Sequence, residues 1–249
     1  MCRILSASFR KPFKTDFVKE QIYYQAYTLS SYHNSGWGIM FNSPEFNKYY
    51  VKKYSCPCYS NFLSKDTINL INSNNYIFHI RKASININNP NILDTHPFVK
   101  ECKSTKTKWV LCHNGTLKKK FQKIETYPVC GNTDSEYILS FILDCVDRTM
   151  AFNFNFKDYL YILHRNIAIF NKEYGSMCLS FFDGTNMYFY SDIKGDRVLY
   201  RKKIRTKKNE GFIFATEPKE TWKWQIMYPG TLMVLRNGKL IFSETERCY

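Results

Sequence analysis

The chain has 249 residues, of which 44% are hydrophobic, and it carries a formal net charge of +15. This length and apolar content exclude a disordered protein, because enough side chains are present to form a sizeable core. No apolar run approaches the length of a membrane span, and the start of the chain lacks the apolar middle of a secretion signal. We therefore expect a cytoplasmic protein.

The positive charge raises nucleic-acid binding as a candidate function, since a basic protein attracts any polyanion. The basic residues are mostly dispersed, however, and the densest cluster covers Arg201–Lys208. Apolar runs flank this cluster on both sides, which predicts a solvated hairpin. The richness in Lys, Asn, Ile, Tyr and Phe is also what the coding bias of an AT-rich genome produces. We therefore expect neither nucleic acid nor membrane as a partner.

The cysteines number nine, an odd count without a repeat, which favours reduced thiols over a disulfide framework. Cys56-Pro57-Cys58 resembles half of a metal site, but no second pair with ligand spacing follows it. We therefore expect no metal and no cofactor.

The first predicted element is a strand over Cys2–Ser8, and its first residue is a candidate nucleophile. Removal of Met1 would leave a thiol and a free α-amine on Cys2. An α-amine titrates at roughly 7.7–8.0, so a useful fraction is unprotonated at neutral pH and can take the thiol proton. The alternative is a small residue that opens a buried strand.

Apolar spacing predicts a short helix over Asp16–Tyr27. Gly36 and Gly38 then flank Trp37 at the entry of an apolar strand, which indicates that the backbone passes close to another part of the molecule. The alternative is a tight strand entry with a buried tryptophan. Tyr49–Tyr54 is the predicted partner strand.

A second short helix is predicted over Lys65–Asn72, followed by a strand that starts at Tyr76 and ends near Arg81. A guanidinium there can grip a carboxylate, although an arginine at a strand end is more often solvated. The polar segment Ile85–Asp94 predicts a loop leading to His96, and a lone histidine is more often a structural hydrogen-bonding group than a catalyst.

Lys108–His113 predicts a buried strand that ends sharply at Asn114-Gly115, because Asn-Gly is a strong turn signal. The alternative is that the Asn114 side chain and the Gly115 N–H point at one spot, as an oxyanion hole requires.

Thr133 and Glu136 have the spacing of a capping box, so a helix is predicted to begin there. The capping box does not require Asp134, which lies in the first turn, where it could face a ligand's ammonium group. A further helix is predicted over Lys157–Asn171.

The remainder of the chain predicts strands separated by Gly-containing turns. They cover Met177–Phe182, Asn186–Ser191, Arg197–Ile204, Phe212–Thr216, Thr231–Leu235 and Lys239–Phe242. Strands, two helices and strands again indicate sheets with a helical layer, an α+β fold. We find no domain boundary, repeat or linker, and so expect one domain over residues 1–249.

Taken together, these segments resemble the class II (N-terminal nucleophile, Ntn) glutamine amidotransferase domain, and among its stand-alone members the γ-glutamyl hydrolases of thiol metabolism. The matching segments follow the family's order and span nearly the whole chain. They are Met1-Cys2-Arg3, His33 with Gly36-Trp37-Gly38, Ile80-Arg81 with Ala83-Ser84, Thr95-His96-Pro97-Phe98, His113-Asn114-Gly115-Thr116, Thr133-Asp134-Ser135-Glu136, Ala215-Thr216-Glu217-Pro218 and Pro229-Gly230-Thr231-Leu232.

The resemblance implies a four-layer αββα sandwich, the Ntn-hydrolase fold, and a role for each matched residue. Cys2 would be the nucleophile, with Asn114 and Gly115 as the oxyanion hole. Arg81 would bind the substrate's α-carboxylate, and Asp134 its α-ammonium. The remaining members, Ser84, His96 and Trp37, would line the pocket.

The implied reaction is attack of the Cys2 thiolate on the γ-carbonyl of a glutamine-like group, followed by hydrolysis of a glutamyl thioester. The expected partners are glutamine or a γ-glutamyl small molecule, and a synthase or acceptor enzyme in trans that uses released ammonia. A homodimer is left open. The competing hypothesis is a non-catalytic pocket protein that uses its basic surface to bind a partner or nucleic acid.

The chain departs from the family pattern at the rim of the expected pocket. Ser35 stands where the family usually has Asp before Gly-Trp-Gly. Ser84 replaces a usual Thr, and Asn86 stands in place of a common Gly. These departures bear on substrate preference more than on activity.

Overall fold

Two antiparallel β-sheets form the centre of the molecule, and helices cover their outer faces. The structure is a computed structural model that describes residues 2–13, 16–43, 48–69, 72–83, 90–118, 124–219 and 223–246. None of the helices in these ranges is long and apolar enough to cross a membrane.

The first sheet has seven strands in the order β11-β9-β10-β1-β4-β2-β3. Its strands are β1 (Arg3–Phe9), β2 (Trp37–Ser43), β3 (Lys48–Tyr54), β4 (Asn75–Ile80), β9 (Tyr200–Arg205), β10 (Glu210–Ala215) and β11 (Gln225–Ile226). The strand β1 therefore lies in the interior of this sheet, hydrogen-bonded to β4 on one side and to β10 on the other.

The second sheet has six strands in the order β13-β12-β8-β7-β6-β5. Its strands are β5 (Phe98–Glu101), β6 (Lys108–Leu117), β7 (Gly175–Phe182), β8 (Met187–Tyr190), β12 (Thr231–Arg236) and β13 (Lys239–Thr245). Its longest pairing joins β6 to β7, from Val110 opposite Phe182 to Leu117 opposite Gly175.

Among the described residues, four α-helices form the outer layers: α1 (Asp16–Tyr23), α2 (Phe62–Asn69), α3 (Asp134–Met150) and α4 (Phe156–Tyr174). A π-helical turn, Tyr24–Thr28, continues α1. The side chains of α1 and α2 pack on the seven-stranded sheet, and those of α3 and α4 pack on the six-stranded sheet. A third apolar cluster, which includes Ile4, Ile77 and Cys112, fills the space between the sheets.

These layers are the four-layer αββα sandwich that the resemblance implies, so that expectation is confirmed. The helix predicted over Lys157–Asn171 is α4, and the basic segment forms the β9–β10 hairpin as predicted. The short strand β5 was not predicted, because four residues are too few to show a periodic pattern.

The predicted end of a strand at Asn114-Gly115 is wrong. Strand β6 runs through both residues to Leu117, and they pair with Cys178 and Met177 of β7. The turn tendency of Asn-Gly is a local preference, and the long pairing with β7 outweighs it.

The predicted capping box is correct in position and wrong in its hydrogen bonds. Thr133 is the residue before α3, but its side chain caps nothing, and its hydroxyl is buried without a partner in the described part of the chain. Glu136 instead accepts hydrogen bonds from the N–H groups of Cys130 and Gly131, and from Lys100 Nζ at 2.7 Å.

Candidate functional site

Strand alternation directs three of the candidate residues into the space between the sheets. In β1, Leu5 packs against the helices and Ile4 packs between the sheets, so Cys2 faces inward. Ile77 of β4 and Cys112 of β6 also pack between the sheets. By the same alternation, the side chains of Arg81 and Asn114 face inward as well. The three residues thus share one layer.

Cys2 is held beside the end of β4 by the register of the sheet. Arg3 lies opposite Ile80, and the Cys2 Sγ is 3.9 Å from the carbonyl oxygen of Lys82. Burial raises the pKa of the thiol, while the nearby positive charge of Arg81 lowers it and the negative charge of Asp134 raises it. The two opposite charges therefore both act on this sulfur.

Arg81 is held by contacts from two other segments. Its backbone N–H donates to Gly36 O at 2.8 Å, and its Nη1 donates to Ser35 O at 3.5 Å. Its Nη2 lies 3.9 Å from Asp94 Oδ2, and both side chains are more than nine-tenths buried. Asp94 also accepts a hydrogen bond from the Asn132 N–H at 2.7 Å. The guanidinium is therefore fixed in place and is not a solvated strand end.

Asp134 lies where the end of β6 meets the start of α3. Its Oδ2 accepts the Leu117 N–H at 2.8 Å, and its Oδ1 accepts the Ser135 hydroxyl at 3.3 Å. The Asp134 side chain keeps 27% of its surface exposed, so a ligand can still reach the carboxylate. A negative charge is also favoured at the N-terminus of a helix.

His113 connects β6 to α3 beneath this carboxylate. Its Nδ1 is 2.9 Å from the Ser135 hydroxyl and 4.0 Å from Asp134 Oδ1, and its Nε2 is 3.3 Å from Ser176 O. Burial lowers the pKa of the imidazole, and the charge of Asp134 opposes that shift. The ring thus fixes the distance between β6 and the first turn of α3.

Asn114 and Gly115 lie next to each other inside β6. The Asn114 side chain is buried, and its Oδ1 has no hydrogen-bond partner in the described part of the chain. At Gly115 an added Cβ would lie 1.9 Å from Ser176 O and 2.5 Å from His113 Nε2, so only glycine fits there. The side chain of Asn114 thus lies in the layer that holds Cys2, with its carbonyl oxygen unpaired among the described residues.

His96 packs its ring against that of His79, at a centroid distance of 3.9 Å. Both of its ring nitrogens are buried and without a hydrogen-bond partner in the ranges that the structure describes. Burial lowers the pKa of His96, and the charges of His79, His113 and Arg81 lower it further. A neutral, buried ring here packs against His79 and Phe98.

The two glycines around Trp37 make room for the segment that carries His96. An added Cβ at Gly38 would lie 2.2 Å from His96 O, and one at Gly36 would lie 3.0 Å from Thr95 Oγ1. The expected close approach of the backbone is therefore confirmed, and Thr95–His96 is the segment that approaches.

One of the sequence candidates, Trp37, is not brought to this place. Trp37 is fully buried on the helix-facing side of its sheet, where it stacks on Tyr54 and contacts Phe78. The expectation that its side chain lines the pocket is therefore corrected, since strand alternation turns it away from the inner layer. Ser84 lies outside the described residues.

Sequence reasoning missed Asp94 and His113 as parts of this site. Asp94 ends a polar segment without periodicity, so no pattern distinguished it from other loop residues. His113 was matched to the family only as the residue before Asn114. Strand alternation places His113 on the face of β6 that packs against the helices. That pattern would have predicted its contact with α3.

Two concave surfaces lie away from Cys2. One, of about 550 Å³, lies on the outer side of α3 and α4, and another, of about 670 Å³, lies beside the end of β13. Among the described residues no cluster of His, Cys, Asp and Glu could hold a metal ion. What the inner site offers is the thiol of Cys2, the buried cation of Arg81, the partly exposed carboxylate of Asp134 and the side-chain amide of Asn114.

A family model described as glutamine amidotransferases class-II matches residues 1–202 of the chain. A Methanocaldococcus jannaschii protein, MJ1515, is 28% identical over 271 residues, an alignment that covers 98% of this chain and 72% of that protein.

Solved structures share the fold at lower identity. A predicted glutamine amidotransferase from Pseudomonas aeruginosa has a TM-score of 0.62 and 19% identity, covering 96% of this chain and 95% of that one. A glutamine aminotransferase class-II domain protein from Silicibacter pomeroyi has a TM-score of 0.64 and 15% identity, covering 99% and 100% of the two chains. The glutamine phosphoribosylpyrophosphate amidotransferase of B. subtilis has a TM-score of 0.66 and 15% identity, and this chain spans 49% of its length.

Proposed function

Because the chain belongs to the class II glutamine amidotransferases, we propose that it is an N-terminal-cysteine amidohydrolase of the glutaminase type. Its substrate is glutamine or a γ-glutamyl compound, and the bond cleaved is the γ-glutamyl amide. The observation that carries this proposal is the position of Cys2, which lies in the same layer between the sheets as Arg81 and Asn114, with its Sγ 3.9 Å from the Lys82 carbonyl oxygen.

The charges around Cys2 suit the head group of an amino acid. Arg81 would bind the α-carboxylate through its planar fork, and Asp134 would bind the α-ammonium. Asp94 holds the guanidinium in position, and the N–H of Leu117 holds the carboxylate of Asp134. A γ-glutamyl group anchored at both charges extends its side-chain amide toward the sulfur, and an unanchored amide does not.

The reaction begins after Met1 is removed, when the free amine of Cys2 takes the thiol proton. The thiolate then forms a bond to the γ-carbonyl carbon, and the carbonyl electrons move to the oxygen, where Asn114 and Gly115 stabilise the negative charge. An oxyanion donor of this kind is typically worth about 10²–10³ in rate. The amine leaves with a proton from the Cys2 ammonium, and a glutamyl thioester remains.

Water completes the cycle. The Cys2 amine takes a proton from a water molecule, the resulting hydroxide adds to the thioester carbon, and the sulfur leaves as glutamate is released. When the leaving group is ammonia, an acceptor enzyme in trans would consume it. When it is a larger amine, simple hydrolysis of a γ-glutamyl compound is the whole reaction.

The experiment combines intact mass spectrometry with a glutamine-analogue alkylator and an assay of glutamate release. We expect loss of the Met1 mass, addition of one label, and release of glutamate that Cys2→Ala abolishes. Cys130→Ala is the matched control, because this exposed cysteine belongs to no contact in the site. Labelling and turnover that persist in Cys2→Ala would refute the proposal.

A further inference from the structure

The end of the sandwich opposite Cys2 carries a group of exposed basic side chains. Three loops supply them: the one after β1, the β9–β10 turn and the β12–β13 turn. We call these six residues the basic end: Arg10, Lys11, Arg205, Lys207, Lys208 and Lys239.

Hydrogen bonds between the loops fix these residues relative to one another. The Arg10 N–H donates to Glu210 O at 2.8 Å, and the Lys11 N–H donates to Asn209 Oδ1 at 3.0 Å. The Gly238 N–H donates to Ser8 Oγ at 3.0 Å, and its Cα approaches Arg10 so closely that an added Cβ would lie 2.5 Å from the Arg10 nitrogen. Basic residues that are dispersed in the sequence are therefore gathered by the fold.

Their charge is not neutralised locally. None of the six forms an ion pair with another residue in the ranges that the structure describes. Glu210 is the one acidic residue in the three turns, and it is only partly exposed. Uncompensated positive charge fixed on short, rigid turns attracts a polyanion.

Aromatic rings continue this surface. The guanidinium carbon of Arg236, next to the β12–β13 turn, lies 5.4 Å from the centroid of the Phe156 ring. In the same α3–α4 connection Phe152 and Phe154 are 71% and 48% exposed, with their centroids 6.0 Å apart. Exposed rings beside basic side chains suit unpaired bases, which stack on aromatic side chains while the phosphates meet the cations.

We propose that this end of the molecule binds single-stranded nucleic acid, with the phosphates on the basic end and bases stacked on Phe152 and Phe154. A double helix keeps its bases stacked on each other and leaves these rings unused. The surface is separate from the amidohydrolase site, because Cys2 and Arg10 are at opposite ends of an extended strand, about 26 Å apart. Bound nucleic acid therefore leaves Cys2 accessible.

The test measures binding of a fluorescent 20-nucleotide single strand, and of the same sequence as a duplex, over a series of salt concentrations. We expect tighter binding of the single strand. For Lys207→Gln with Lys208→Gln, the slope of log affinity against log salt should fall by about 1.4, since each phosphate contact on a single strand contributes about 0.7. Phe152→Ala should weaken single-strand binding about tenfold and duplex binding little.

The matched control is Arg165→Gln with Lys172→Gln, which removes two exposed positive charges on α4 and should leave the affinity nearly unchanged. Several results would overturn the proposal: an equal loss in this control, no binding at low salt, or equal binding of single strand and duplex. Binding to anionic phospholipid vesicles in preference to the oligonucleotide would identify a membrane as the occupant and overturn it as well. Glutamate release, measured in parallel, should not differ between the variants, so a failure here is distinct from a failure of the proposed reaction.

Discussion

Arg81 and Asp94 form a buried ion pair that joins the end of β4 to the turn Ile92–Asp94, with Nη2 and Oδ2 3.9 Å apart. Removing one partner of such a pair leaves an uncompensated charge in the interior, which typically destabilises a protein by about 3–5 kcal/mol. Asp94→Asn keeps the shape of the side chain and removes its charge. We expect the free energy of unfolding, measured in urea, to fall by about 3 kcal/mol.

The control for this variant is Glu20→Gln. It breaks the ion pair between Glu20 and Lys219, whose side chains are both more than one-third exposed. An exposed pair contributes at most about 1 kcal/mol. Equal losses in the two variants would mean that the Arg81–Asp94 pair is no more than a surface contact.

Much of the site could be predicted from the sequence because it lies on strands. Once β1, β4 and β6 are assigned, strand alternation places Cys2 and Arg81 on the inner face of one sheet and Asn114 on the inner face of the other. Asp94 could not be found in this way, because it lies in a polar loop whose path depends on contacts with Gly131 and Asn132. Such contacts between distant segments leave no periodic trace in the sequence.

In strand β6 the sequence prediction failed for a different reason, because it gave too much weight to the local turn preference of Asn-Gly. Asn-Gly usually turns the chain, yet here Asn114 and Gly115 pair with β7. The glycine is required by the backbone of Ser176 and the ring of His113, and not by a turn. The strand over Met177–Phe182 was predicted, but its pairing with Asn114 and Gly115 was not.

Asn114→Ala tests the proposed oxyanion hole. Asn114 is buried between the sheets, and the N–H group of its side-chain amide is the donor that the proposed reaction assigns to the oxyanion. Loss of an oxyanion donor acts on the transition state, so kcat for glutamate release should fall by about 10²–10³ with a much smaller change in KM.

Steady-state kinetics of the processed protein would measure this change. Cys112→Ala is the control, since this residue lies two positions earlier on the same face of β6 and offers no amide. Its kcat should stay close to that of the native protein. A rise in KM alone for Asn114→Ala would assign the residue to substrate binding.

The residues that precede α3 and α4 predict different effects of removing a cap. The Asn155 side chain accepts the N–H groups of Lys157 and Asp158, both at 3.0 Å, whereas the Thr133 side chain caps nothing. Asn155→Ala should therefore lower the free energy of unfolding by about 1 kcal/mol, and Thr133→Ala should lower it by much less. Thermal unfolding of the two variants side by side decides this, and a larger loss for Thr133→Ala would contradict it.

The paired histidines predict a loss of stability in mild acid. Burial lowers the pKa of both His79 and His96, so the folded protein keeps them neutral. In the unfolded chain each takes up a proton near pH 6.5, so below that pH the unfolded state binds more protons and is favoured. Their contribution is complete above pH 6.5 and is lost as the pH falls toward the lowered values.

Each of these two histidines should reduce the free energy of unfolding by about 1.4 kcal/mol per pH unit below pH 6. Urea unfolding between pH 7.5 and 5 measures this slope. His96→Gln removes one of the two titrating groups and should make the slope shallower by that amount. An unchanged slope would show that His96 is protonated in the folded protein.

The position of β1 inside its sheet has a consequence for how the site behaves over time. Both edges of β1 are bonded, to β4 and to β10, so its amide hydrogens can reach solvent deuterium only when the sheet itself opens. Cys2 and Arg81 lie next to these paired strands, whose amide hydrogens exchange slowly. Asp134, in contrast, sits at the first turn of a helix, where amides exchange fastest. The proposed site is therefore held on one side by a strand that opens rarely and on the other by a helix end that opens more often.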